Sequence, residues 1–161
     1  MKNLILFSLL LFSGLVLSQD IMLIKKEVAE INQIKNYSIK VVPYSYFMDK
    51  HQVTDNGIEL KGYYKSGKLR KIDHFIGLSA WYISTEYFLD KNGQLIFVYS
   101  KKYQTVDENG YLKNPIKISE IRNYYAKGKL IETVKMPENQ IEDADYLRTF
   151  QELKKDLNEY K

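Results

Sequence analysis

The feature that most limits the fold is a short segment that occurs three times: two aromatic residues, a glycine turn, a polar residue and leucine. Tyr63–Leu69 and Tyr124–Leu130 match without a gap, and Tyr87–Leu95 matches with two extra turn residues. Adjacent strand residues point to opposite faces of a sheet, so each aromatic pair places one ring on each face. Glycine supplies the positive φ that tight hairpins require. The repeat therefore predicts successive hairpins of one antiparallel meander.

Strands are expected on both sides of these turns. Apolar and polar residues alternate from Ile58 to Tyr64, as in a strand with one buried face. The predicted strands of the repeat region are Ile58–Tyr64, Lys68–Ile76, Trp81–Leu89, Gln94–Tyr103, Lys117–Tyr125 and Lys129–Met136. Upstream, Ile39–Val42 and Tyr44–Met48 are predicted as strands, and Pro43 between them indicates an edge or a bend. A longer loop is predicted to hold Asp107–Gly110 and Asn114-Pro115.

Amphipathic helices are predicted at both ends of the chain that follows residue 18. Isoleucine and valine recur at helical spacing from Asp20 to Lys35. A second helix is predicted to begin near Glu138 to Gln140, with acidic first turns and a stripe of Leu147, Phe150, Leu153 or Lys154, Leu157 and Tyr160. The predicted class is α+β: an antiparallel β-meander of about six or more strands flanked by the two helices. We expect residues 19–161 to form one domain, with the hairpin repeats at about 55–136.

The first 18 residues have the pattern of a secretory signal peptide. Lys2 precedes an apolar run from Leu4 to Leu17, and Ser18 is a small residue suited to cleavage. The run has 14 residues, whereas a membrane-spanning helix needs roughly 20. We therefore expect export to the periplasm or the medium, with no stable membrane anchor. An uncleaved N-terminal anchor is the alternative interpretation.

Composition excludes several functional classes. The chain has no cysteine, so thiol nucleophiles, thiolate metal sites and iron–sulfur clusters are ruled out. It has 24 Lys+Arg against 20 Asp+Glu, and the basic residues form no run longer than two. An even distribution of charge does not favour nucleic acid as a partner. The 14 tyrosines suit strands, and their amphipathic rings also suit surfaces that bind glycans or proteins.

The three hairpin segments and their flanks resemble a family. Gly67–Ile72, Thr85–Tyr99 and Arg122–Ile131 look like the repeats of small exported proteins of unassigned function from Bacteroidota and other Gram-negative bacteria. The resemblance covers about Asp55 to Val134 and implies no activity, cofactor or catalytic residue. A weaker likeness is to MORN-type hairpin repeats, whose Tyr-x-Gly and Gly-x-Gly elements are mostly missing here.

No catalytic or metal motif is present. The two histidines, His51 and His74, have no second ligand at helical spacing, and Asp73 beside His74 should point to the opposite face of its strand. No nucleophile elbow, phosphate loop or zinc-protease motif occurs. Paired carboxylates could still act on glycosidic bonds if strands brought them together. The candidates are on predicted strands, and alternation places most of them in solvent: Glu59, Asp73, Glu86, Glu120 and Glu132.

Three acidic segments that superficially resemble calcium loops are interpreted as turns. Asp55–Gly57, Asp90–Gly93 and Asp107–Gly110 lack the full set of oxygen ligands, and Asp and Asn are ordinary turn formers. The best candidate contact residues are Trp81 and Tyr82. They are adjacent on a strand and face opposite ways, so one is expected in the core and the other on a surface.

Three functional hypotheses remain. The favoured one is a non-catalytic envelope domain that binds a protein, peptide or glycan through an aromatic sheet face or an open edge strand, without a cofactor. The second is a small periplasmic or secreted hydrolase that acts on envelope polymers, which requires carboxylates or a histidine converging in a cleft. The third is a structural role in envelope assembly.

Overall fold

The computed structural model describes residues 19–138 and 144–161. The signal peptide predicted for residues 1–18 lies outside this part of the chain. The elements in chain order are α1 (19–33), β1 (Ser38–Val42), α2 (Tyr44–Asp49), β2 (Ile58–Lys65), β3 (Lys68–Gly77), β4 (Trp81–Leu89), β5 (Leu95–Asp107), β6 (Gly110–Ala126), β7 (Lys129–Met136) and α3 (Tyr146–Glu159). The seven strands form one antiparallel sheet in chain order. The predicted α+β meander with a helix at each end is confirmed.

Helices α1 and α3 pack on opposite faces of the sheet. The larger core lies under α3, where Phe150, Leu153 and Leu157 are almost fully buried. The smaller core lies under α1 and is centred on Ile24 and Ile31 of the helix and on Phe88, Phe97 and Tyr124 of the sheet. None of the described helices is long and apolar enough to cross a membrane.

In the second and third repeats the aromatic pair is divided between these two cores. Tyr87 belongs to the core under α3, and Phe88 belongs to the core under α1. In the third repeat Tyr125 and Tyr124 are divided in the same way. The repeat therefore supplies apolar side chains to both helices from neighbouring positions of one strand, as the side-chain alternation of a strand predicts.

The hairpin turns of the first and third repeats share one geometry. Ser66 and Gly67 have φ of 50° and 75°, and Lys127 and Gly128 have φ of 52° and 74°. Positive φ at both central residues is the type I′ turn, whose twist matches that of the flanking strands. The strand pairing shifts register between Tyr63 and Tyr64 and at the matching aromatic pair of the third repeat. The repeat thus specifies the turn and a local irregularity before it.

One predicted strand is wrong. Tyr44–Met48 is part of helix α2, which follows Pro43 at the N-cap and buries only Phe47. Long-range contacts hold this short helix against α3: the Tyr46 hydroxyl lies 3.1 Å from Asp156 Oδ1, and Lys50 Nζ lies 2.6 Å from the same oxygen. Contacts made by residues more than 100 positions away cannot be read from local alternation.

Two predicted boundaries are also wrong. The residues expected to form a long loop are a short turn at Asp107–Gly110 followed by β6, which runs through Asn114-Pro115. Proline is tolerated there because the pairing with β5 shifts register between Gln104 and Val106. Among the described residues α3 begins at Tyr146 and not near Glu138, which lies in a turn after β7. The rest of the predicted start, including Gln140, lies outside the described residues.

Candidate functional site

The face of the sheet that carries α1 continues beyond the helix as a surface of aromatic and charged side chains. The ladder registers of β3 to β6 align these side chains in three rows. The row next to the core under α1 is Asp73, Glu86, Tyr99 and Arg122; the middle row is Phe75, Ser84, Lys101 and Glu120; and the outer row is Tyr82, Tyr103 and Lys117. We call these residues the open face.

Three aromatic rings of the open face form a ladder across β3, β4 and β5. The ring centroids of Phe75 and Tyr82 are 5.3 Å apart, and those of Tyr82 and Tyr103 are 4.8 Å apart with the planes inclined by 18°. Aromatic pairs at this spacing contribute about 0.5–1.5 kcal/mol beyond the area they bury. The ladder is therefore a rigid apolar strip with phenolic groups along it.

An ion-pair cluster lies beside the ladder. Lys71 Nζ is 2.7 Å from Glu86 Oε1 and 3.0 Å from Asp73 Oδ1, and Lys101 Nζ is 3.1 Å from Glu86 Oε2. The Tyr63 hydroxyl donates to Asp73 Oδ2 at 2.7 Å. Next to these groups the surface has a depression of about 260 Å³ lined by Glu59, Lys61, Asp73, His74, Phe75, Ser84, Glu86 and Lys101. Ion pairs hold the charged side chains that line it: Glu59 with Lys61, Glu86 with Lys101, and Asp73 with Lys71.

A second cluster is built around Glu120. Its side chain is 4% exposed and contacts three donors: Lys117 Nζ at 2.5 Å, Arg122 Nη2 at 2.6 Å and the Tyr99 hydroxyl at 2.8 Å. The alternation predicts that most of the five strand carboxylates lie in solvent, and Glu120 does not. Its three donors cover it.

Two carboxylates of the open face, Glu86 and Glu120, are held in the ionised form. Burial raises the pKa of Glu86, but the ammonium groups of Lys71 and Lys101 outweigh that effect and hold the pKa below its usual value. The hydrogen bond from Lys117 is the largest of several effects that lower the pKa of Glu120. A glycosidase acid requires a raised pKa so that it carries a proton near neutral pH. Glu86 and Glu120 are suited to binding donors and not to donating protons.

Trp81 and Tyr82 lie on opposite faces, but neither is a core residue. Trp81 is 40% exposed, and Lys102 Nζ lies 4.0 Å from its ring centroid on the face that carries α3. Tyr82 is half-buried within the aromatic ladder of the open face. The prediction that one of them is buried in the core is wrong because Trp81 begins β4 and does not belong to the core under α3.

The two histidines are not brought into a catalytic arrangement. His51 is exposed in the turn after α2. His74 lines a cavity of about 270 Å³ between α3 and the sheet, and burial lowers its pKa to about 4 despite the nearby charge of Asp156. The carboxylate of Asp73, the preceding residue, instead accepts a hydrogen bond from the Tyr63 hydroxyl on the open face. The imidazole is therefore neutral at pH 7, and Asp73, its neighbour in sequence, does not orient it.

The segments Asp90–Gly93 and Asp107–Gly110 form turns in which the aspartate side chain accepts backbone hydrogen bonds. Asp90 Oδ1 accepts the backbone N–H groups of Asn92 and Gln94, each at 2.8 Å, and Asp107 Oδ1 accepts that of Asn109 at 2.8 Å. In residues 19–138 and 144–161 no group of three or more His, Asp or Glu side chains is arranged to hold a metal ion.

Seven residues of the open face were not identified from the sequence as site residues. They are Tyr99, Lys101, Tyr103, Phe75, Ser84, Lys117 and Arg122. The period-two alternation of β5 contains a signal for the first three, because residues 97, 99, 101 and 103 share one face. Lys117 and Arg122 join that face only through the register of β5 with β6, which includes a shift between Lys102 and Tyr103.

Comparison with known proteins identifies no relative. No protein-family model matches the chain, and no curated protein and no solved structure shows significant similarity to it.

Proposed function

We propose that this chain is a non-catalytic domain of an exported envelope protein and that its open face binds a glycan. The observation that carries the proposal is the aromatic ladder of Phe75, Tyr82 and Tyr103 directly beside polar side chains that are already fixed by ion pairs. Sugar rings combine weakly polar faces with many hydroxyl groups. A flat aromatic strip with oriented donors and acceptors matches both properties.

A glycan suits the open face better than a protein does. The centres of protein interfaces are depleted in charged residues, because burying ion pairs under an apolar partner costs their solvation. On the open face charged groups occupy the middle row, at Lys101 and Glu120, and the row beside it, at Glu86. Saccharide hydroxyls can replace the water around these groups with new hydrogen bonds, so that solvation is exchanged and not lost.

The alternative of a small hydrolase is not favoured by Glu86 or Glu120, since neither is suited to act as the acid. The carboxylates of Glu86 and Glu120 are both stabilised in the charged form by neighbouring cations. Bond cleavage requires one protonated carboxyl group opposite a second carboxylate. Export supports a glycan ligand, because envelope polysaccharides surround a protein that the predicted signal peptide of residues 1–18 sends out of the cytoplasm.

The test is calorimetric titration of the purified protein with a panel of neutral and acidic envelope polysaccharides. Tyr103→Ala should weaken binding about tenfold, because it removes the end of the aromatic ladder. Trp81→Ala is the matched control, since it removes an exposed aromatic ring from the opposite face and should leave affinity unchanged. Binding by no polysaccharide, or equal loss in both variants, would refute the proposal.

A further inference from the structure

The charges of the open face are unevenly distributed. Between β4 and β6 there are three cations, Lys101, Lys117 and Arg122, and two carboxylates, Glu86 and Glu120. Glu86 is also shared with Lys71 of β3, which lies 2.7 Å away and is itself paired with Asp73 at 3.0 Å. This half of the face therefore has an excess of positive charge that its own carboxylates do not neutralise.

The excess is concentrated where the cations reach solvent. Glu120 is 4% exposed, whereas its partners Lys117 and Arg122 are 44% and 41% exposed. One buried negative charge thus holds two cations whose outer surfaces remain open. An approaching anion meets the cations first, and the Glu120 carboxylate lies beneath them.

The two cations are also held in place. Arg122 Nη2 is 2.6 Å from Glu120 Oε1, and its guanidinium carbon is 5.2 Å from the centroid of the Tyr99 ring. Lys117 is 2.5 Å from the same carboxylate and is the direct cross-strand neighbour of Tyr103. A fixed guanidinium presents its planar donors to a carboxylate with little further loss of side-chain freedom.

We infer that the glycan of the open face is acidic, with a uronate carboxylate bound between Lys117 and Arg122 while its sugar ring lies against Tyr103. The inference rests on the proposed function, because it assigns the ligand class of the same surface. Direct pairing of Tyr103 with Lys117 places the apolar contact and the cation on adjacent strands. One sugar unit can therefore reach both.

The experiment uses polymers that differ only in charge. Polygalacturonate, alginate and hyaluronan are titrated into the protein by calorimetry, each before and after reduction of the carboxylates to primary alcohols. At least one acidic polymer should bind, and its reduced form should bind tenfold to a hundredfold more weakly, as expected for loss of a charge-assisted hydrogen bond. Raising the salt concentration should weaken only the acidic form.

Variants locate the carboxylate on the open face. Arg122→Gln and Lys117→Gln should each remove most of the preference for the acidic form, and Arg122→Lys should retain part of it. Lys102→Gln is the matched control, because it removes the same charge from the neighbouring position on the opposite face. Urea unfolding of each variant identifies any that fails to fold. If the Arg122 variants do not fold, Lys117→Gln is the deciding test, because Arg122 and Tyr99 still contact Glu120 in that variant.

The outcomes separate the two proposals. If reduced and acidic polymers bind equally and Tyr103→Ala still weakens binding, the glycan site stands and the acidic ligand is refuted. The same conclusion follows if only neutral polymers bind. If no polymer binds, the proposed function itself is refuted. If Lys102→Gln reduces the acidic preference as much as Lys117→Gln does, the effect comes from net charge and the inference is refuted.

Discussion

Helix α3 docks on the sheet at a glycine, and this contact can be tested by a double-mutant cycle. Leu157 is 1% exposed, and a Cβ added to Gly62 of β2 would lie 2.9 Å and 3.0 Å from its two methyl carbons. Gly62 does not have a positive φ, so alanine is strained there only by packing. The absence of a side chain at position 62 is what allows α3 to approach β2 so closely.

The magnitudes follow from this geometry. Gly62→Ala overpacks the contact at a cost of about 1–3 kcal/mol, offset by about 0.5–1 kcal/mol from the lower entropy of the unfolded chain. Leu157→Ala should cost about 2–5 kcal/mol, because it leaves a cavity in the larger core. In the double variant the new methyl group occupies space that Leu157 has vacated, and only its contact with the Tyr64 ring, at 3.0 Å, is left. The combined loss of unfolding free energy should therefore be smaller than the sum by about 1–3 kcal/mol.

Urea unfolding of the four proteins measures this coupling. The control cycle combines Gly62→Ala with Ile31→Ala, which removes a fully buried aliphatic side chain from α1 on the other face of the sheet. The control pair should be additive to within about 0.5 kcal/mol. Additivity of the Gly62 and Leu157 substitutions within the same margin would show that the two residues are not in contact, and the described docking of α3 would be wrong.

Three further predictions concern other parts of the fold. Because the pKa of His74 is lowered to about 4, the unfolded chain binds more protons than the folded one between pH 6.5 and 4. The free energy of unfolding should therefore fall by about 2–3 kcal/mol as pH decreases through that range. Urea titrations of His74→Leu should lack this loss, and the same pH profile in the variant and the wild type would contradict the prediction. Asp145→Ala should destabilise the protein by about 1 kcal/mol, because Asp145 accepts the Arg148 N–H at 3.0 Å at the start of α3, whereas Arg148→Ala should have little effect. Fluorescence of the single tryptophan, Trp81, should be quenched by acrylamide in the folded protein, and full protection would place the ring in a core.

Much of the architecture could be predicted because it depends on local rules. The type I′ turns at Ser66-Gly67 and Lys127-Gly128 follow from glycine, and the division of Tyr87 and Phe88 between two cores follows from strand alternation. Helix α2 could not be predicted, since its sequence also suits a strand and its position depends on contacts with Asp156. When a segment suits both a helix and a strand, the residues that it contacts in the folded chain determine which of the two it forms.

The open face separates what the sequence alone determines from what depends on the tertiary structure. The sequence by itself determined that residues alternate along each strand and that glycine turns join the strands into a meander. Only the strand register placed Lys117 beside Tyr103 and Arg122 beside Tyr99. The physical reason is that alternation acts over two residues of one strand, whereas register depends on bulges and turns that shift whole strands past one another.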